Sequence, residues 1–130
     1  MVKLIQDPMG AVNGVIARDK DGTQQINAKA IILACGGFEA SSEMRSSYLG
    51  PHWKNARVRG SQFNTGDGHR AGMAIGAATT GQWNGYHGTP IDFAAPLSGS
   101  VTTVHQLPRR SYNLGIMLNL NGNRFTDEGE

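Results

Sequence analysis

Apolar and polar residues alternate along the start of the chain, in three short stretches at 2–6, 14–18 and 23–27. Turn-forming residues separate them, with an Asp-Pro-Met-Gly run at 7–10 and an Asp-Gly pair at 21–22. Alternation with a period of two, interrupted by such turns, is typical of antiparallel strands. The pattern predicts a small antiparallel meander with a structural role only, because its polar residues form no plausible chemical constellation.

A continuous apolar run follows at residues 30–34, and it ends in Cys-Gly-Gly-Phe at 35–38. A short run bounded by turn residues predicts a strand that is buried on both faces of a sheet. The glycine pair permits unusual backbone angles and lets a ligand lie against the main chain. Because ligands of open α/β sheets bind just beyond the carboxyl ends of strands, this pair is a candidate binding loop. A core strand followed by a plain turn explains the same residues.

The next segment contains a predicted short helix. Ser41 or Ser42 caps it, Glu43 lies in its first turn, and it ends before the Gly-Pro pair at 50–51. Residues 51–63 are predicted to be irregular. Three basic residues in that segment either line an anionic site or belong to a solvated loop: Lys54, Arg57 and Arg59.

A second glycine-containing stretch, residues 64–68, precedes another predicted helix. Small residues recur there at helical spacing, at Ala71, Ala74, Ile75 and Ala78. The stretch contains a G-x-G-x-x-A pattern, but a dinucleotide fingerprint requires a buried strand before the first glycine, and residues 59–63 are too polar. The helix N-terminus still favours an anionic or carbonyl-bearing ligand, unless Asp67 caps the helix itself.

The composition changes beyond Gly81, where aromatic residues, glycine and His87 are mixed in a way typical of binding loops. A domain boundary is predicted near Gly81. Further on, the adjacent Arg109 and Arg110 either clamp a carboxylate bidentately or form an ordinary exposed pair. An Asn-Gly pair at 121–122 predicts a hairpin near the end of the sequence.

Composition and charge narrow the classes of function. Glycine supplies 18 of 130 residues, about twice the usual share of roughly 7%, which fits close backbone approaches. The formal charge of +2 comes without a basic stripe, so no nucleic-acid partner is expected. A single cysteine is compatible with a reducing compartment, and no apolar run approaches membrane length. We expect a cytoplasmic protein that binds no metal and does not insert into membranes.

Three segments together resemble the fumarate reductase and succinate dehydrogenase flavoprotein family. Residues 28–38 resemble its second flavin-contact segment, with Ala-Cys-Gly-Gly at 34–37 where members carry Ala-Thr-Gly-Gly. Residues 65–68 match the family's Thr-Gly-Asp-Gly, and residues 124–128 match the Arg-Phe-x-Asn/Asp-Glu end of its cap hairpin. The resemblance covers nearly the whole chain. It is strongest to the tricarballylate dehydrogenase-like branch, because no acidic residue between Asp92 and Asp127 can supply the glutamate of the fumarate reductase proton relay.

The resemblance implies FAD as the cofactor and a small carboxylate as the substrate. The residues it assigns to cofactor binding are Ala34, Cys35, Gly36, Gly37, Thr65, Gly66, Asp67 and Gly68. His87 and Arg110 would bind the substrate. The implied fold is α+β: part of a flavin-binding α/β domain (antiparallel meander plus buried strand and helices) over residues 1–81, joined to the start of a capping domain over residues 82–130.

The resemblance also implies that the 130 residues are an internal piece of a longer oxidoreductase. The family's catalytic residues would lie beyond residue 130, so the isolated chain is expected to be inactive. Apolar faces that the longer protein covers would favour self-association, and no motif specifies an electron-transfer partner. Two alternatives remain open: a self-contained nucleotide- or phosphate-binding α+β module, and a non-catalytic interaction fragment.

Overall fold

The computed structural model describes residues 1–99 and 112–129 and contains both helices and strands. Its strands are β1 (Lys3–Gln6), β2 (Val12–Asp19), β3 (Gly22–Asn27), β4 (Val58–Ser61) and β5 (Ser98–Gly99). Its α-helices are α1 (Ser42–Tyr48) and α2 (Asp67–Ala74), and short 3-10 helices occur at Pro51–Asn55 and Tyr112–Leu114.

The first three strands form an antiparallel sheet in the order β1-β2-β3. Leu4 lies opposite Val15, and Val15 lies opposite Ile26 on the other side. The turn between β1 and β2 is closed by the Asp7 carboxylate, which accepts hydrogen bonds of 2.9 Å from two backbone N–H groups. The predicted meander is confirmed.

Helix α1 begins where the sequence predicts. The Ser41 hydroxyl accepts a hydrogen bond of 3.2 Å from the backbone N–H of Met44, which satisfies one of the free donors of the first turn. Glu43 lies in that turn, where the helix dipole favours a negative charge. Met44 is buried and anchors the helix on the rest of the fold.

The predicted buried strand at residues 30–34 is wrong. No strand is assigned there, and the side chains of Ile32 and Leu33 are 90% and 42% exposed. A strand buried on both faces needs hydrogen-bonding neighbours, and no strand within the described ranges pairs with this segment. The segment has an apolar composition, but residues 1–99 and 112–129 supply no paired strands that would make it a core strand.

Residues 51–63 are more ordered than predicted. They contain the 3-10 helix Pro51–Asn55 and strand β4, which pairs in parallel with β5 through Val58 and Ser98. Val58 is the one buried residue of β4, and the residues on either side of it are more exposed. The sequence of β4 does not predict a strand, because one buried residue, Val58, is too few to produce an alternating apolar pattern.

Helix α2 is shorter than its pattern of small residues predicts. It ends at Ala74, with Ile75 at the C-cap, so Ala78 lies beyond it. Gly76 has a φ of +85°, and a glycine in the left-handed region is a common helix terminator. The left-handed conformation of Gly76 therefore ends the helix, although the helical spacing of apolar residues continues to Ala78.

The apolar core formed by the described residues is small. Its buried side chains are Leu4, Met44, Val58, Ala71 and Ala95. None of the helices within the described ranges is both long and apolar enough to cross a membrane.

Candidate functional site

The two glycine-containing segments meet in space. The backbone N–H of Gly66 donates a hydrogen bond of 3.0 Å to the carbonyl oxygen of Gly37. A second bond of 2.9 Å joins the N–H of Ala40 to the carbonyl oxygen of Asn64. The structure thus brings residues 34–37 and 65–68 together, although about 30 residues of sequence separate them.

Glycine is required where these segments touch. Gly66 has a φ of +82°, and a methyl group on it would collide with the Met44 sulfur and lie 2.9 Å from Phe38 Cβ. Gly36 has a φ of +74°, and a methyl group there would lie 2.5 Å from the Asn64 side-chain oxygen. Both positions combine a left-handed backbone with a close contact, so a side chain is excluded for two reasons.

Cys35 lies against the first turn of α2. A methyl group on Gly68 would be only 3.2 Å from Cys35 Cβ and 3.4 Å from its sulfur. The thiol is free and the residue is exposed. It is the single cysteine of the sequence. The rate at which a thiol reagent modifies it therefore measures the accessibility of the surface where residues 34–37 and 65–68 meet.

Asp67 is not the cap of α2. The N-cap is Gly66, which offers no side-chain acceptor. The Asp67 carboxylate instead accepts hydrogen bonds from the Thr65 hydroxyl at 2.9 Å and the Arg70 guanidinium at 3.0 Å. The bond from Thr65 lowers the pKa of Asp67 below its ordinary value, partial burial opposes this, and Arg70 lowers it further. Asp67 is consequently a hydrogen-bond acceptor at neutral pH.

Arg45 is a buried residue that the sequence did not single out. Its side chain is 6% exposed, and its guanidinium donates to four backbone carbonyl oxygens at 2.5–3.1 Å. The acceptors belong to Glu39, Trp53, Lys54 and Ala56. Glu39 lies just after the Gly-Gly loop. The other three acceptors lie at the C-terminal end of the 3-10 helix Pro51–Asn55. Arg45 therefore fixes the loop relative to the segment that leads into β4.

His69 belongs to an aromatic cluster beside the same loop. Its ring lies 5.9 Å from Phe38 and 5.1 Å from Trp83, both edge to face. Tyr48 completes the cluster at 4.8 Å from Trp83. The Nδ1 atom of His69 is buried, and no described residue hydrogen-bonds to it. The only sequence signal for this histidine is that it directly follows Gly68.

His87 is one of the residues that line a cavity beside β4. The cavity has a volume of about 350 Å³ and is also lined by Arg57 and Arg59. The neighbouring Tyr86 packs against Trp53, with ring centroids 4.5 Å apart, which anchors the loop. Arg110, the other predicted substrate residue, lies outside the described residues.

The predicted turn at 121–122 is present. Gly122 has a φ of +78°, and the backbone N–H of Asn119 donates a hydrogen bond of 2.9 Å to the carbonyl oxygen of Asn123. Among residues 112–129, strand pairing is limited to the bridge between Leu118 and Arg124. Just beyond, the Glu128 carboxylate accepts two hydrogen bonds from Arg124, at 2.6 and 3.0 Å. The bond from Arg124, followed by one from the Met117 N–H, lowers the pKa of Glu128 to about 2.

Comparison with known proteins identifies the class to which this fold and junction belong. Residues 1–130 match the family described as the FAD binding domain. The chain belongs to this family, and FAD is the family's cofactor.

Three relatives show how far the similarity extends. A 3-oxosteroid 1-dehydrogenase of Comamonas testosteroni is 43% identical over 75 residues, or 55% of this chain. A probable fumarate reductase of Shewanella frigidimarina is 31% identical and a urocanate reductase of Eggerthella lenta 33% identical, each over 98% of this chain. The chain spans 13% of the length of the first relative and 21% of the other two.

Proposed function

We propose that this protein is an FAD-dependent oxidoreductase that transfers a hydride between the flavin and a carbon–carbon bond of a carboxylate substrate. Bound FAD supplies the hydride acceptor or donor. Family membership supports the cofactor, and the three relatives are all named for dehydrogenation or reduction. The observation that carries the proposal is the hydrogen bond from Gly66 to Gly37, which joins two glycine segments into one surface.

We infer that both segments contact FAD. The proposed contact residues are Ala34, Cys35, Gly36, Gly37, Thr65, Gly66, Asp67 and Gly68. Glycine at Gly36 and Gly66 lets the two main chains approach closely, and the N-terminus of α2 has no side-chain cap, which favours a ligand that accepts hydrogen bonds. Asp67 offers an acceptor for a ligand hydroxyl. The buried Nδ1 of His69, next to Gly68, is a further polar group that a ligand would satisfy.

The proposed boundary between two domains lies near Gly81, where the composition changes. Residues 1–81 would form the later part of the FAD-binding domain, and residues 82–130 the start of a capping domain that covers the substrate. His87 and Arg110 would orient a substrate carboxylate. The lack of an acidic residue between Asp92 and Asp127 favours a substrate of the tricarballylate type over fumarate.

The thiol of Cys35 provides the test. Alkylation of the purified chain with N-ethylmaleimide is timed with and without FAD, and the visible spectrum is recorded after free FAD is removed. We expect FAD to slow alkylation at least about threefold, because the cofactor would cover the exposed thiol. The control is a Cys35→Ser chain with Lys20→Cys, whose thiol replaces an exposed side chain in the β2–β3 turn.

Two results support or contradict the assignment. Protection of Cys35 without protection of the control thiol supports cofactor contact at residues 34–37. Equal alkylation rates with and without FAD, together with a colourless protein, contradict it.

A further inference from the structure

The cavity beside His87 carries an excess of positive charge. Its volume of about 350 Å³ lies in the usual range for small-molecule sites. Its charged lining residues are three arginines, Arg45, Arg57 and Arg59, and one acid, Glu39. A cavity with this balance favours an anionic occupant over a neutral one.

Arg45 stabilises the fold and has little capacity to bind a ligand in the cavity. Its guanidinium is already hydrogen-bonded to four carbonyl oxygens, so few donors remain to face the cavity. Arg45 still adds its charge to the cavity, and the arginines that we consider for direct contact with an occupant are Arg57 and Arg59.

The fold positions these two arginines as a pair. They flank the buried Val58, and side chains two residues apart on an extended chain lie on one face. Arg57 is held further by a hydrogen bond from its guanidinium to the Ala95 carbonyl and by the Phe93 ring, 5.2 Å away. Such restraint lowers the entropy that an arginine would lose on binding a ligand.

The acid of the cavity is also restrained. One carboxylate oxygen of Glu39 accepts a hydrogen bond of 2.5 Å from the Asn64 side-chain amide. Asn64 immediately precedes the Thr-Gly-Asp-Gly segment, so the cavity adjoins the proposed cofactor surface. His87 also lines the cavity, and the contact between Tyr86 and Trp53 anchors its loop.

We infer that Arg57 and Arg59 form a carboxylate-binding pair that makes the protein select an anionic substrate and reject a neutral one. This inference rests on the proposed function and deepens it, since the relatives include one named for a 3-oxosteroid and one named for fumarate. The pair binds the carboxylate through charge-assisted hydrogen bonds, for which the planar guanidinium is suited. It acts in specificity and takes no part in the chemical step.

The test is a calorimetric titration of the 130-residue chain with tricarballylate. The neutral comparison is tricarballylate trimethyl ester, which keeps the carbon skeleton and lacks the charges. The variants are Arg57→Gln and Arg59→Gln, with Arg18→Gln as the matched control, since Arg18 is exposed on β2. Thermal melts of each variant verify that it is folded. A further variant, Arg59→Lys, keeps the positive charge but lacks the planar guanidinium.

We expect tricarballylate to bind the unmodified chain and the triester to bind at least about tenfold more weakly. Each glutamine variant should weaken tricarballylate binding at least about tenfold, a factor set by the loss of a charge-assisted bond. Arg18→Gln should change it less than about twofold, and Arg59→Lys should lie between the glutamine variant and the unmodified chain. The inference is overturned if the chain does not bind tricarballylate, if the ester binds equally well, or if all three glutamine variants behave alike.

FAD protection of Cys35, measured on the same samples, separates the two proposals. A chain that binds FAD but not tricarballylate contradicts the arginine pair and leaves the cofactor assignment intact. A chain that binds tricarballylate through Arg57 and Arg59 without FAD contact contradicts the cofactor assignment and supports the anion site.

Discussion

Two glycines with nearly the same backbone conformation differ in what surrounds them. Gly66 and Gly76 have φ angles of +82° and +85°, but only Gly66 has atoms within contact distance of an added methyl group. Gly76→Ala should cost about 1–2 kcal/mol for the left-handed backbone alone, and Gly66→Ala about 1–3 kcal/mol more for overpacking. Urea unfolding of both variants measures the difference. Equal losses would mean that Met44 and Phe38 move aside without cost.

The Glu128 carboxylate makes a pH-dependent contribution to stability. Its pKa of about 2 in the folded state lies below its ordinary value of 4.5. Above pH 4.5 the contribution is fully present. As the pH falls from 4.5 to 2, the unfolded chain binds a proton that the folded chain does not, so the contribution is lost progressively.

Amide resonances provide the measurement for this contribution. We expect the Met117 amide, which donates to Glu128, to titrate with a midpoint near pH 2. In Glu128→Gln the same amide should show no transition there. A Met117 midpoint near 4.5 in the unmodified chain would contradict the strength of the Arg124–Glu128 pair.

Residue-level roles were predictable from sequence only where a local pattern existed. The Ser41 cap and the turn at Gly122 follow from short-range rules and are present. Arg45 follows from no such rule, because its four carbonyl partners lie 6 to 11 residues away and a lone arginine in a helix usually faces solvent. His69 follows from no local pattern either, because its ring contacts Phe38 and Trp83, which are distant from it in the sequence.

At the scale of elements, Arg45 connects α1 to two segments that have little apolar packing of their own. Arg45→Met would leave the four carbonyl groups without their donor, which should reduce the free energy of unfolding by about 3 kcal/mol or more. Arg18→Met, at an exposed arginine, should change it by less than about 0.5 kcal/mol. Urea unfolding compares the two variants. A similarly small change for both would indicate that water replaces the guanidinium.

Elements built from local interactions were predicted well, and those that need distant partners were not. The meander depends on turns and alternation within 27 residues, and its three strands are present. The run at residues 30–34 has the composition of a core strand, but burial depends on neighbours that the run itself does not encode. Strand β4 was missed because its partner β5 lies about 40 residues away. The meeting of residues 34–37 with 65–68 was likewise implied by the resemblance and not by the local pattern.

The 130-residue chain should have no turnover by itself. It spans 13–21% of the length of its relatives, and no catalytic residue is predicted within it. We expect no reduction of an artificial electron acceptor when tricarballylate, fumarate and FAD are supplied together. Free FAD without protein gives the baseline of the assay. Protein-dependent reduction above that baseline would contradict the prediction.

We expect the exposed apolar side chains of the chain to favour self-association. Large apolar side chains are exposed around the turn at 121–122, namely Leu114, Ile116, Leu118, Leu120 and Phe125. An exposed apolar patch of this kind promotes contact between copies. Sedimentation velocity should show a dimer or larger species that grows with concentration, and Leu120→Glu should reduce it. Met9→Glu, at an exposed residue in the β1–β2 turn, should not, and a monomer at every concentration would contradict the prediction.

The parallel pairing of β4 with β5 has a consequence for the order of folding. Bringing Val58 and Ser98 together closes a long loop, which costs more chain entropy than closing the tight turns of the meander. Contacts between distant residues form slowly for this reason, so the meander and α1 should be structured before this pair of strands. Helix α2 and His87 both lie within the closed loop. The parts of the proposed binding region that lie within this loop, residues 65–68 and His87, would therefore reach their native arrangement late.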